Sequence, residues 1–188
     1  EGGGEGARRL WVVDPLDGTV NFAHGYPVFS VSIALVEDGV PVVSVVHDPT
    51  RRETFVAERG RGAWLGRKRL KVTRQRHLIE SLLSTGFSYQ RGRTLDRSLA
   101  QFSSFHHAAR AVRRPGSAAI DLAYVATGRF DGFWETGLKS WDVAAGWLLV
   151  TEAGGRVTDY AGRSYRLGTA DILASNGPLH SPMRRILT

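Results

Sequence analysis

The chain of 188 residues contains no cysteine, and this absence excludes two kinds of structure. Neither a disulfide framework nor a thiolate metal site can form, which fits a reducing cytoplasm. No apolar run approaches the ~20 residues that a membrane-spanning helix needs, and no signal-peptide pattern opens the sequence. We therefore expect a cytoplasmic protein without a membrane partner.

Methionine is almost as scarce, since Met183 is the single one and the chain begins at Glu1. A translated gene product starts with methionine, so we expect a fragment that lacks an N-terminal portion. The content of 42% hydrophobic and 23% charged residues is ordinary for a globular protein. We expect one domain over residues 1–188, with sub-lobes of about 1–112 and 113–188.

Acidic residues are in the minority: 25 Lys and Arg against 18 Asp and Glu give a formal charge of +7. Such an excess can attract nucleic acid or an anionic substrate. The basic residues form short groups that are scattered along the chain, at 51–52, 67–69, 113–114 and 184–185. This scatter favours a solvated surface and leaves nucleic acid open as a partner. Trp64, Trp134, Trp141 and Trp147 are predicted to lie in the core and not to form a base-stacking platform.

The hydrophobic pattern predicts an α+β fold. Strands are predicted at 10–13, 28–36, 40–47 and 53–58, which together indicate an antiparallel meander in the first half. In the second half, helices are predicted at 94–112, 118–126, 141–153 and 178–187, with strands at 130–134 and 172–174. Ser140 is predicted to cap the third of these helices.

The first chemical motif lies at 11–22, where an apolar strand gives way to a turn. Asp14 ends the strand, and Asp17 with Gly18 reverses the chain, so both carboxylates face one space. Gly18 and Thr19 would offer backbone N–H groups to a phosphate if a helical turn begins there. Aspartates also form common turns and helix caps, so this motif alone leaves a structural role open.

The second motif, at 141–146 and 152–155, places Asp142 in the first turn of a predicted helix. The helix dipole favours a negative charge at that point, which is also the structural alternative for this acid. Three convergent carboxylates without cysteine or a histidine cluster form the ligand set of a hard cation such as Mg²⁺. The two motifs together predict a metal-dependent phosphatase.

Both motifs resemble the two signatures of the inositol monophosphatase family, in the right order. The first is Asp14-Pro15-Leu16-Asp17-Gly18-Thr19 with Asn21-Phe22, and the second is Trp141-Asp142-Val143-Ala144-Ala145-Gly146 followed by Glu152-Ala153-Gly154-Gly155. The resemblance extends through Gly116-Ser117-Ala118-Ala119 and Phe133-Trp134-Glu135 to the end of the chain. It implies a layered α/β/α/β sugar-phosphatase-type fold, with an antiparallel sheet in the first half and a smaller mixed sheet with helices in the second.

The resemblance also implies roles for individual residues. The implied metal ligands are Asp14, Asp17, Asp142 and the backbone carbonyl of Leu16. The implied catalytic residues are Asp17 and Thr19, of which Thr19 positions the nucleophilic water. The implied substrate-binding residues are Asp17, Gly18, Thr19, Ala118, Glu135 and Asp142, with Ala118 and Glu135 on the alcohol portion of the substrate.

The sequence departs from the family at its start. The family carries a Glu-Glu pair upstream of the first motif, and the leading glutamate binds metal and helps to activate the water. Here Glu1 is followed by Gly2, and Glu1 matches the second member of that pair better than the first. The first helices of the family are also absent. We therefore expect residues 1–188 alone to bind Mg²⁺ weakly and to turn over little.

The function implied is Mg²⁺-dependent hydrolysis of a small phosphate monoester by a metal-activated water, with inositol 1-phosphate as the first expectation. Histidinol phosphate, fructose 1,6-bisphosphate and nucleotide 3′-phosphates remain alternatives. Glu135 favours a hydroxyl-rich substrate, because a carboxylate accepts hydrogen bonds from polyol hydroxyls. The expected partners are this phosphorylated polyol and a second copy in a homodimer. An RNA-binding or regulatory role with secondary phosphatase activity is the alternative of another class.

Overall fold

The computed structural model describes residues 8–87 and 92–188, so the predictions made for Glu1 and its neighbours lie outside the described residues. The first sheet has six antiparallel strands in chain order. They are β1 (Arg9–Asp17), β2 (Ser30–Glu37), β3 (Val40–Asp48), β4 (Glu53–Glu58), β5 (Gly62–Leu65) and β6 (Lys68–Arg69). Short connections such as the turn at Asp38 and Gly39, both with positive φ, allow each strand to pair with the next. The predicted meander is confirmed.

The second sheet is smaller and mixed. Its strands are β7 (Leu82–Thr85), β8 (Ala111–Arg113), β9 (Gly132–Thr136), β10 (Arg156–Thr158) and β11 (Asp171–Ser175), in the order β10-β11-β9-β7-β8. β7 runs parallel to both β8 and β9, and the other pairs are antiparallel. The division between the sheets thus falls between Arg69 and Leu82, whereas the sequence placed a sub-lobe boundary at 112.

The helices complete a layered arrangement. They are α1 (Thr19–Ala23), α2 (Arg93–Ala108), α3 (Ala118–Thr127), α4 (Ser140–Glu152) and α5 (His180–Leu187). α3 and α4 pack together between the two sheets, and α2 and α5 pack on the other face of the second sheet. The expected layered α+β class is confirmed. None of the helices in the described ranges has the length and apolar character to span a bilayer.

Two buried clusters hold these layers together. The larger one joins the first sheet to α3 and α4 and includes Phe55, Leu122 and Leu149, all fully buried. The smaller one lies under α2 and α5, where the rings of Phe105 and Trp134 stack with centroids 3.9 Å apart. Burial of such large apolar side chains is the main stabilising term for both interfaces.

Several predicted boundaries were wrong. The helix predicted at 94–112 ends at Ala108, because Ala109 is extended and the next residues pair with β7 as β8. Ser140 is not the cap, since it is the first helical residue of α4 and Lys139 precedes it as N-cap. β1 continues past Val13 to Asp17, with an irregularity in its pairing to β2 after Asp14. The short strands β5, β6, β7, β8 and β10 were missed.

Candidate active site

Three acidic side chains from distant parts of the sequence converge at one point. Asp14 and Asp17 lie at the end of β1, and Asp142 lies in the first turn of α4. One carboxylate oxygen from each lies within 4.8 Å of those of the other two. The convergence follows from the packing of α4 against the first sheet, which brings its first turn beside the end of β1.

Asp17 is the most firmly held of the three acids. It is 7% exposed, and its Oδ2 accepts hydrogen bonds from the Ser117 hydroxyl at 2.5 Å and the Ala119 N–H at 3.0 Å. The Ser30 hydroxyl adds a third at 3.3 Å. Burial raises the pKa of Asp17 to about 6 although these donors lower it. One carboxylate oxygen is thus fixed by the protein, which leaves Oδ1 for a ligand.

Asp142 is arranged in a similar way. Its Oδ2 accepts a hydrogen bond of 2.7 Å from the backbone N–H of Lys139, so the acid itself caps α4. Burial, together with the charges of Asp17 and Asp14, raises the pKa of Asp142 to about 6, although the hydrogen bond from Lys139 lowers it. Asp14 accepts from the N–H of Leu16 through Oδ1 at 3.0 Å. In each of the three acids, one carboxylate oxygen therefore accepts hydrogen bonds from the protein.

The turn after Asp17 requires glycine. Gly18 has a φ of 85°, and a Cβ there would come within 2.9 Å of the carbonyl oxygen of Val28. α1 begins directly afterwards at Thr19, whose hydroxyl donates to the Leu16 carbonyl at 2.9 Å. The backbone N–H groups of this first turn have no acceptor within the helix, and Gly18 and Thr19 line the cleft described next.

Asn21 fixes this turn against a distant loop. Its side-chain N–H group donates to the carbonyls of Val28 at 2.7 Å and Pro115 at 2.9 Å. The loop before α3 is therefore attached to the turn that carries Asp17, and Ser117, the N-cap of α3, is delivered to the Asp17 carboxylate.

A cleft of about 380 Å³ opens over the three acids. All eight residues to which the sequence assigned a role line it: Asp14, Leu16, Asp17, Gly18, Thr19, Ala118, Glu135 and Asp142. Its volume suits a small molecule. Ala118 is the first residue of α3, and Glu135 lies near the end of β9 in the second sheet, so these two line the cleft from elements other than those that carry the acids.

Glu135 is a further titratable residue of the cleft, in addition to the three aspartates. It is 9% exposed, and burial raises its pKa to about 8, which the guanidinium of Arg114 partly opposes. Its carboxyl group lies against Gly86, where a Cβ would come within 2.2 Å of Oε2. Gly86 follows β7, the strand that pairs with β9.

Several residues of the site were missed by the sequence reasoning. Arg114 and Lys139 line the cleft as its cationic residues, and Ser117 supports Asp17. Asp121, on α3, is 1% exposed, and burial followed by the charges of Glu135 and Asp17 raises its pKa well above the ordinary value. Of these residues, only Ser117 could have been found from the sequence, because a serine just before an apolar helix predicts an N-cap.

The donor set fits a hard divalent cation. Carboxylate oxygens, with the carbonyl of Leu16 beside them, are the ligands that Mg²⁺ takes in proteins. Burial and the neighbouring carboxylates raise the pKa values of Asp17 and Asp142. The same concentration of negative charge in a buried place favours the binding of a cation. The described residues therefore form a candidate metal centre.

Comparisons with known proteins identify the family of this chain. The model of the family described as "Inositol monophosphatase family" matches residues 2–187. An inositol-1-monophosphatase of Synechocystis is 49% identical over 177 residues, which cover 94% of this chain and 62% of that protein. A protein of Pseudomonas aeruginosa named Nus factor SuhB is 51% identical over 178 residues, which cover 94% of this chain and 66% of that protein.

A solved structure of a relative has the same fold. The inositol monophosphatase from Anabaena superposes with a TM-score of 0.91 at 46% identity, covering 98% of this chain and 73% of that one. The matched part of this chain thus spans between 62% and 73% of the length of these three relatives. The match of family model, sequence and fold over nearly all of its residues shows that the chain belongs to the inositol monophosphatase family.

Proposed function

We propose that this chain carries the site for Mg²⁺-dependent hydrolysis of a small phosphate monoester. The observation that carries the proposal is the convergence of Asp14, Asp17 and Asp142 beside the first turn of α1, in one cleft. Acids alone would repel a phosphate, and backbone N–H groups alone would bind it without activating water. Their combination suits a phosphate and its metal ions together.

The metal would be held by the three carboxylates and the carbonyl of Leu16. When bound, Mg²⁺ lowers the pKa of a coordinated water and offsets the charge of the phosphate and its leaving oxygen. The protein contributes rigidity, because Ser117, the Ala119 N–H and the Lys139 N–H fix one oxygen on each of Asp17 and Asp142. The positions of the free oxygens therefore follow from the fold.

The phosphate and the attacking water would be oriented by the turn at Gly18 and Thr19. Both residues line the cleft at the start of α1, where their backbone N–H groups would hold the phosphate. The Thr19 hydroxyl donates to the Leu16 carbonyl, so its oxygen can accept a hydrogen bond from a water. This arrangement suits direct attack by water without a covalent enzyme intermediate.

The alcohol portion of the substrate would lie toward Ala118 and Glu135. Glu135 accepts hydrogen bonds from hydroxyl groups in either protonation state, and bound cations favour its ionised form. This supports a polyol phosphate, with inositol 1-phosphate as the first candidate, in line with the name of the Synechocystis relative. Histidinol phosphate, fructose 1,6-bisphosphate and nucleotide 3′-phosphates are the competing substrates.

The test is a panel of these phosphate monoesters assayed with the complete gene product, with and without Mg²⁺. We expect phosphate release that depends on Mg²⁺ and is fastest with inositol 1-phosphate. Asp142→Asn is the matched control, because it keeps the volume and removes one charged ligand. A clear preference for histidinol phosphate would overturn the substrate assignment, and release that is indifferent to Mg²⁺ and to Asp142→Asn would overturn the site.

A further inference from the structure

A second feature lies away from the cleft, in the segment 67–76, which we call the basic tract. Six of its ten residues are cationic and none is acidic: Arg67, Lys68, Arg69, Lys71, Arg74 and Arg76. All six are exposed. The expectation that the basic residues are merely scattered is therefore wrong for this segment.

The tract lines a groove of about 690 Å³ at the C-terminal end of α4. Four of its cations, Arg69, Lys71, Arg74 and Arg76, are at the groove wall. From residue 70 to residue 77 the chain has no regular secondary structure, and it links the first sheet to the second. An irregular, extended chain distributes its side chains along a line instead of gathering them at one point.

Hydrogen bonds hold the tract in place. The Val72 N–H donates to the carbonyl of Ala153 at 3.1 Å. The side-chain N–H group of Asn176 donates to the Thr73 hydroxyl at 2.9 Å and to the Gln75 carbonyl at 2.8 Å. The backbone is therefore anchored to both α4 and the loop after β11, while the cationic side chains extend outward. A preformed line of charge loses less entropy on binding than a flexible one.

The charge of the tract is not neutralised by the protein. Within 8–87 and 92–188, none of its six cations forms an ion pair with a carboxylate. Glu152 is the acid that lines the groove, and its two oxygens accept hydrogen bonds from the N–H groups of Gly60 and Gly62, both at 2.8 Å. The net potential of the groove is therefore positive, and an anionic ligand is the complementary occupant.

An exposed aromatic ring lies beside Arg69, which lines the groove, although the ring itself lines a neighbouring pocket. Trp64, on β5, is 37% exposed, so the prediction that it lies in the core was wrong. It pairs directly with Arg69 of β6, and the Arg69 guanidinium lies 5.8 Å from the centroid of its ring. A charged groove beside an exposed aromatic ring suits a single strand, in which phosphates follow the cations and a base stacks on the ring.

We propose that the basic tract and Trp64 form a binding site for single-stranded nucleic acid, separate from the phosphatase cleft. A duplex keeps its bases paired and cannot offer one to Trp64, and an anionic membrane is too flat to enter the groove. The two sites lie at opposite ends of α4, about 18 Å apart along a helix of 13 residues. Binding at the tract therefore leaves Asp142 and its cleft untouched.

The test is fluorescence anisotropy with a labelled oligouridine of about 12 nucleotides, titrated with the complete gene product at several salt concentrations. The groove variant Lys71→Gln/Arg74→Gln/Arg76→Gln should bind at least tenfold more weakly. The slope of log K against log salt should fall in magnitude by about 2, since each neutralised phosphate of a single strand contributes about 0.7. Trp64→Ala should weaken binding about fivefold or more, because one stacking contact is lost.

The matched control removes three exposed arginines outside the groove, as Arg110→Gln/Arg166→Gln/Arg185→Gln. It has the same net charge as the groove variant and should bind almost as the wild type does. Equal losses in the two variants would show that net charge alone attracts the oligonucleotide and would overturn the site. Absence of wild-type binding at physiological salt, or tighter binding of a duplex or of anionic vesicles, would overturn it as well. Circular dichroism verifies that each variant is folded.

Discussion

The carboxyl group of Glu135 occupies the space that a side chain on Gly86 would need. A Cβ at position 86 would lie 2.2 Å from Oε2 and 2.4 Å from Oε1 of Glu135. Since Glu135 lines the cleft, the absence of a side chain on Gly86, the residue after β7, decides where its carboxyl group can be. If Glu135 binds the substrate alcohol, as proposed above, that recognition depends on Gly86, which belongs to neither signature motif.

Gly86→Ala should therefore impair turnover of inositol 1-phosphate while sparing p-nitrophenyl phosphate, whose leaving group has no alcohol hydroxyls to recognise. Loss of a hydrogen bond to a charged group costs about 1.5–3 kcal/mol, so kcat/KM for the polyol should fall about 10- to 100-fold. Steady-state kinetics with both substrates measures the difference, and Glu135→Gln should show the same pattern. Equal losses on both substrates would contradict a role for Glu135 in holding the alcohol.

Asp14→Asn and Asp142→Asn should each reduce Mg²⁺-dependent turnover by about 100-fold or more, because each removes a charged oxygen from the metal centre. The fold should persist, since an amide has nearly the same volume. Asp38→Asn is the control, as Asp38 is an exposed acid in the turn between β2 and β3. Near-normal rates for either cleft variant at saturating Mg²⁺ would remove the ligand assignment.

Mg²⁺ affinity should fall steeply as the pH drops through about 6. Burial raises the pKa of both Asp17 and Asp142 to about 6, so below that pH the ion must displace a proton from each. Isothermal titration calorimetry in buffers of different ionisation enthalpy measures the protons released. An affinity that stays constant between about pH 5 and 8 would contradict the shifted values.

The metal-free protein should lose stability as the pH rises from about 4 to 6. The native carboxyl of Asp142 has a pKa of about 6 against 3.8 unfolded, so the native state binds more protons in that window and protonation favours it. A shift of about 2 units corresponds to about 3 kcal/mol as an upper estimate for a partly buried group. Urea unfolding with a chelator should show a smaller pH dependence for Asp142→Asn than for the wild type. The same pH dependence of the free energy of unfolding in both proteins would contradict the raised pKa of Asp142.

Gly146→Ala should destabilise the contact between α3 and α4. A Cβ at position 146 would lie 2.4 Å from the Cβ of Leu122, and neither helix can retreat because sheets cover both. Overpacking costs about 1–3 kcal/mol, which exceeds the gain of up to 1 kcal/mol in helix propensity. Combining it with Leu122→Ala should cost less than the sum of the two single changes in urea unfolding. Strict additivity would mean that the two residues do not compete for space.

Local sequence determined the parts of this protein that depend on near neighbours. The turn at Asp17 and Gly18 could be predicted because only glycine accepts the backbone conformation there. The first four strands of the first sheet could be predicted because alternation and short turns pair each strand with the next. The pairing of β7, β8 and β9 could not, since three short parallel strands are specified by contacts between residues far apart.

Only the tertiary structure decided how the site is assembled. The sequence identifies Asp17 as an acid, but its orientation comes from Ser117 and Ala119, which the loop fixed by Asn21 delivers. Its raised pKa comes from burial, which these two donors oppose. In the same way, the six cations of the basic tract are visible in the sequence, yet their freedom from ion pairs depends on Glu152 being engaged elsewhere. Side-chain chemistry is local, whereas burial and partnership are properties of the packed chain, because the dielectric and the donors around a group belong to its neighbours in space.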